Sequence, residues 1–348
     1  MSSRLPGRRR RERPGSDTEG AQRDGLPGSP GPADGEPDET PPDLDARDAD
    51  TAGNDGELSE LEIVEAARRE RLASRTIRQR IAAGGGLGSR VAVAVPGVVG
   101  LVALVVVGGP IFAVAVAVIA ALALSEFYNL TAAWRPLRWA GFLAVLLAVA
   151  MTAALGSPER GVLLGLLSGI GLVAVGGLIL GRREDVTGRM AVTAFGLLYV
   201  GGPFAMLVAT RALPDGAGAV ANVFVGTWVF DTASFVGGKL WGRRRIAPRV
   251  SPGKTLEGLL VGVLVGTLAV AFAGLYMEWI DWWQSLIVGF VVCMAGFVGD
   301  LFESMLKRDV GAKDSGRLLR GHGGILDRFD ALMFATVAAY AATVFLVY

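Results

Sequence analysis

The chain has 348 residues, of which 51% are hydrophobic and 49 are glycine, with a formal charge of +1 and one cysteine. The near-neutral total conceals strong segregation of charge and so says little about partners; no nucleic-acid partner is expected. Cys293 lies in an apolar run and excludes an intrachain disulfide, as suits a protein whose polar face sees the cytoplasm.

Residues 1–56 are rich in Pro, Gly, Asp and Arg and poor in large apolar side chains. Such a segment cannot bury enough surface to offset its ordering entropy, so it is predicted to be a disordered tail. It carries no apolar signal region. Residues 57–86 have helix-favouring composition with a basic second half (Arg68, Arg69, Arg71, Arg75, Arg78, Arg80) and end in Gly84, Gly85 and Gly86. They read as a surface helix on the cytoplasmic leaflet followed by a hinge.

From about residue 90 to 348 the chain becomes apolar, and the expected fold is an all-α polytopic membrane domain. Nine stretches approach the ~20 residues needed to cross hydrocarbon: 90–107, 110–127, 138–155, 160–180, 190–210, 217–238, 255–276, 284–306 and 328–348. Backbone groups in lipid must be paired within the segment, so these are helices. Arg and Lys alternate between their connections. Seventeen fall in loops on one side, and only Arg160 and Arg211 on the other. The basic side is therefore expected in the cytoplasm with the N-terminus, and Tyr348 outside. Trp279, Trp282 and Trp283 fit an outer aromatic belt. Gly262-x-x-x-Gly266 permits close helix contact, with a homodimer as one expected use.

Two polar clusters interrupt the apolar domain. In the first, Asp231 sits inside the sixth stretch, where a carboxylate is a functional candidate by default. A basic loop follows, then Ser251-Pro252-x-Lys254-Thr255-x-Glu257-Gly258 opens the seventh. Here Ser251 is expected as N-cap and Pro252 as the first helical residue. Lys254 opposes the helix dipole unless an anion binds there. Capping and topology alone would also explain this pattern.

The second cluster, residues 300–330, holds six basic and six acidic residues, five glycines and the only histidine, His322. Asp300, Asp327 and Asp330 are hard oxygen donors suited to Mg²⁺, one or two ions. Lys307, Arg308, Lys313, Arg317, Arg320 and Arg328 are phosphate partners. Gly321, Gly323 and Gly324 let backbone approach a ligand. The residues alone thus reach metal-assisted phosphate chemistry at a membrane face, against the plainer reading of a positively charged cytoplasmic loop.

Ser304-x-x-Lys307-Arg308, Lys313-Asp314 and His322-Gly323-Gly324-x-x-Asp327-Arg328-x-Asp330 resemble the signature of phosphatidate cytidylyltransferases, and the Asp231 and Ser251–Gly258 elements resemble the same family. The departure is Arg320, where the family usually has Pro or Gly. The resemblance implies an enzyme of the inner (plasma) membrane that joins CTP and phosphatidate to give CDP-diacylglycerol and pyrophosphate, with a cytoplasmic active site and a homodimer. Catalytic candidates are Lys307, Arg308, Asp314, His322 and Asp330. Substrate and phosphate candidates are Asp231, Ser251, Lys254, Thr255, Glu257, Ser304, Lys313, Gly323, Gly324 and Arg328. Asp300 and Asp327 are the metal candidates. Two other readings remain. One is another membrane enzyme acting on a lipid or polyprenyl phosphate, such as a CDP-alcohol phosphatidyltransferase, whose paired aspartates are not visible; the other is an ion-coupled transporter built on Asp231, which would favour internal repeats, also not visible.

Overall fold

The computed structural model describes residues 87–180, 185–316 and 323–348. The expected tail and the surface helix at 57–86 lie outside the described residues, as does His322. Among the described residues the chain forms nine apolar helices, one at each of the nine expected stretches: α1 (Leu87–Val107), α2 (Gly109–Leu130), α3 (Arg138–Ala154), α4 (Pro158–Leu180), α5 (Val186–Ala212), α6 (Gly216–Trp241), α7 (Leu256–Gly274), α8 (Trp282–Asp309) and α9 (Leu326–Leu346). Seven are long and apolar enough to cross a membrane. The apolar stretches Pro96–Val107 of α1 and Arg138–Ala154 are shorter. Seven of the nine expected spans thus satisfy the length and apolarity of a crossing among the described residues, and nine is not confirmed as the number of spans.

Local chemistry sets the ends. Gly108 and Gly109 take φ of +63° and +56°, a left-handed link that turns α1 tightly into α2, with Pro110 in the first turn. Arg211 closes the same corner by donating to Val105 O (2.6 Å) and Val106 O (3.1 Å) at the exposed C-terminal carbonyls of α1. Asp281 and Gln284 form a capping box on α8. In α5, residues Leu197–Gly201 make a π-helical turn.

The second half of α5 is the hub, touching α2, α3, α4, α6 and α9, with Phe204, Ala205 and Ala209 buried. Helices α3 and α4, α6 and α7, and α8 and α9 pair closely around it. The outer faces carry exposed apolar side chains such as Leu178, Phe272 and Phe345, as a lipid-facing surface requires.

Two expectations are corrected here. Ser251 to Thr255 form a strand, β2, paired antiparallel with β1 (Arg245–Ala247). The helix therefore starts at Leu256, and Thr255 rather than Ser251 is its cap, accepting from Gly258 N at 3.2 Å. Pro252 breaks the helical reading because the segment before it is needed in extended form. Second, Gly262 and Gly266 are buried inside the protomer. A Cβ at Gly262 would strike Ser234, and one at Gly266 would strike Cys293. Their close contact is spent on α6 and α8, not on an exposed face.

The bundle has two chemically distinct ends. At one, Arg189 donates to Arg135 O, Arg308 to Val250 O, and Ser315 to Glu126, joining the basic loops. At the other, Asp215 meets Tyr348 and Gln284 donates to Leu346 O.

Candidate active site

The first cluster folds into a cavity of about 370 Å³ between α6, the β1–β2 hairpin, α7 and α8. Asp231, Ser234, Ser251, Lys254, Thr255 and Asp300 supply its polar lining, and Phe230, Phe235 and Phe297 its apolar walls. The hairpin carries Lys254 over the cavity, where its ammonium lies 2.5 Å from Asp300 Oδ2 and 5.0 Å from the Phe297 ring centroid. Both partners steady a cation that is only one-fifth exposed. Close crossing of α6 and α7 makes this possible. A Cβ at Gly258 would sit 2.7 Å from Ser234 O. Glu257, expected among the phosphate binders, instead accepts the backbone N–H groups of Arg243 (2.9 Å) and Arg244 (3.1 Å). It braces the base of the hairpin.

The second cluster is organised on Lys307. Its Nζ donates to Glu303 Oε2 (2.7 Å) and to Asp327 Oδ1 (2.8 Å). Asp327 also accepts from Ser315 N (3.0 Å) and Gly324 N (2.8 Å). Gly323 takes φ of +79°, so the chain turns into α9 through a conformation that glycine supplies cheaply. Ser315 Oγ and Leu326 N donate to Glu126 Oε2 at 3.2 and 2.8 Å. Arg308 reaches Val250 O and Ala312 O and links this cluster to the hairpin loop. Ser304 donates to Asp300 at 3.5 Å, a long contact. Asp330 Oδ1 accepts Ala331 N, and its backbone packs against Gly299, next to Asp300. Lys313, Asp314 and Arg328 are exposed.

The structure thus brings Asp231, Ser251, Lys254, Thr255 and Asp300 together in one place, and Lys307, Gly324 and Asp327 in another. Arg308 stands between them. Asp300 and Asp327 fall in different clusters. Among the described residues no group of three or more His, Cys, Asp and Glu side chains is arranged to hold a metal. Mg²⁺ bound with a nucleotide needs only one or two carboxylates, the phosphates supplying the rest. Asp231 and Asp300, lining one cavity beside the Ser251 and Thr255 hydroxyls, fit that requirement. Asp327 already accepts from Lys307, Ser315 and Gly324, more donors than the Lys254 and Ser304 that face Asp300, and so has less room for a cation.

Sequence reasoning missed Glu126, Glu303 and Ser315. Glu126 and Glu303 are 2% and 1% exposed. The signal was available: each is a carboxylate within a predicted span, the argument that was applied to Asp231 alone.

Residues 88–346 match the cytidylyltransferase family. A protein of Escherichia coli K12 that carries the name Uncharacterized protein YnbB is 41% identical over 143 residues, 41% of this chain and 47% of that one. Phosphatidate cytidylyltransferases of Staphylococcus saprophyticus and Helicobacter pylori are each 40% identical, over 139 and 131 residues, which make up 40% and 38% of this chain and 53% and 49% of theirs. The matched segment thus spans about half the length of these curated relatives. With the family match running through all nine helices and both polar clusters, the chain belongs to the cytidylyltransferase family.

Proposed function

We propose that the chain transfers the cytidylyl group of CTP to phosphatidate, giving CDP-diacylglycerol and pyrophosphate. The observation that carries this reading is the cavity in which Lys254 of the hairpin meets Asp231 and Asp300, two carboxylates within apolar helices. Relatives named for that activity support the choice of substrates.

The phosphate of phosphatidate is already an anionic nucleophile at neutral pH, so no strong general base is required. Its oxygen bonds to the α-phosphorus of CTP as the bond to the β-phosphate oxygen breaks and pyrophosphate leaves. The main barrier is repulsion between anions, which aimed cations lower. Lys254, steadied by Asp300 and Phe297, presents one such cation to a phosphate in the cavity. Lys307 uses two of its three N–H donors on Glu303 and Asp327 and keeps the third for a phosphate oxygen. Mg²⁺, held by Asp231 and Asp300, would neutralise charge on the phosphates. Phe230, Phe235 and Phe297 give the cavity apolar walls beside its charged groups.

The site faces the cytoplasm of the inner (plasma) membrane in this reading, so that nucleotide arrives from the cytosol and lipid from the leaflet. What supports it is the gathering of the basic loops at one end of the bundle. The test is incubation of the detergent-solubilised chain with radiolabelled CTP, phosphatidate and Mg²⁺. Label appearing in CDP-diacylglycerol is expected. Labelled lipid formed only from another lipid phosphate, or none, would reject the reading.

A further inference from the structure

Glu126 lies in α2, in the half of the chain that contains neither polar motif. Its side chain is 2% exposed inside an apolar helix, a costly place for a carboxylate. One oxygen, Oε2, accepts from two points that are distant in sequence: the Ser315 hydroxyl at 3.2 Å and the Leu326 backbone at 2.8 Å. The other, Oε1, has no hydrogen-bond partner among the described residues. Gly316 and Gly324 lie against the carboxylate so closely that a Cβ at either would collide with it. The two stems of the signature loop are therefore shaped to receive this one side chain.

The contacts continue toward the phosphate chemistry. Ser315, held by its hydroxyl, gives its backbone N–H to Asp327 at 3.0 Å. Gly324 gives its own at 2.8 Å. Asp327 in turn fixes Lys307. Leu326 and Asp327 are neighbours, so Glu126 holds the backbone beside the carboxylate that grips the other stem. An apolar side chain would fill the same space but could not satisfy the buried Leu326 N–H, and an unsatisfied donor there is expensive.

We propose that Glu126 is a positioning residue: through Ser315 and Leu326 it fixes Asp327, and through Asp327 it aims the Lys307 ammonium. The kinetic part of this rests on the cytidylyltransferase reading; the structural part does not. The role needs an acceptor oxygen of the right length, not a charge. Gln supplies one, with its amide nitrogen taking the place of the unpartnered oxygen.

The full chain in detergent, as wild type, Glu126→Gln, Glu126→Ala and Ser315→Ala, would be compared by amide hydrogen exchange at Ser315 and Gly324 and by CTP turnover. A buried donor left unsatisfied at Leu326 predicts about tenfold faster exchange and about tenfold lower kcat for Glu126→Ala, with Glu126→Gln within about threefold of wild type in both. The double variant Glu126→Ala/Ser315→Ala should be no worse than Glu126→Ala, because both cut one chain of contacts. Unchanged exchange in Glu126→Ala, equal damage in Glu126→Gln, or additive losses in the double variant would each overturn the proposal. If Glu126→Ala does not fold, Ser315→Ala removes one of the contacts with little change in volume, and wild-type exchange at Gly324 in that variant would sink the idea. A wild-type chain that turns over no CTP would reject the enzymatic reading, while the exchange measurements would still decide the role of Glu126.

Discussion

Replacing Lys254 by Met separates a ligand-binding cation from a structural one. Met keeps an unbranched stem of similar length and removes the ammonium, with both its pair to Asp300 and its place over the Phe297 ring. The ion pair with Asp300 is 19% and 32% exposed at its two side chains. Pairs that reach solvent contribute at most about 1 kcal/mol to stability. Removing this one should therefore leave thermal unfolding in detergent nearly unchanged. A charge-assisted contact to a phosphate is worth about 1.5–3 kcal/mol. At about 1.4 kcal/mol per decade, kcat/KM for CTP should fall between about tenfold and somewhat over a hundredfold. Steady-state kinetics in mixed micelles at saturating phosphatidate, run beside an unfolding curve, would measure both. Turnover within twofold of wild type, or a loss matched by early unfolding, would refute the assignment of Lys254 to the substrate.

Asp300→Asn should abolish turnover at every Mg²⁺ concentration while the chain still inserts and unfolds cooperatively; near-normal activity at low Mg²⁺ would remove Asp300 from the metal set. Gly262→Leu should destabilise the protomer by about 1–3 kcal/mol through overpacking against Ser234 and Phe230, read as a lower unfolding midpoint, whereas a stable chain with altered oligomeric mass would restore the dimer role. Deleting residues 1–56 should leave specific activity within about threefold, under about 1 kcal/mol on the rate scale. A truncated chain that inserts normally but is inactive would contradict this.

The helices were legible because a bilayer-length apolar run with few charges has almost one solution, and every expected stretch became a helix. The hairpin was not, because Ser251-Pro252 carries the chemistry of a helix start as well as of an extended segment. The choice falls to pairing between Arg245 and Thr255, which no local pattern encodes. Gly262 and Gly266 were correctly read as a close-contact pair, but the identity of the partner is tertiary information. In the site, Lys254 and Asp300 were visible as charges and invisible as a pair, since the contact closes a gap of dozens of residues. Glu126 is the plainest case. It stands alone in the early spans, and its meaning depends on Ser315 and Leu326 at the far end of the chain.

The π-helical turn at Leu197–Gly201 bears on how the family can change length. Such a turn holds one residue more than regular helix would need. Removing a residue elsewhere in α5 would swing everything beyond it by about 100°, because an α-helix advances 3.6 residues per turn. Phe204 and Ala209 would then leave the hub for the lipid face. Removing half-exposed Leu198 would instead let the surplus turn relax to regular helix, with both halves of α5 keeping their orientation. Among positions ahead of Phe204, a one-residue gap in α5 is therefore expected to be tolerated at this turn and not in the regular helix before it.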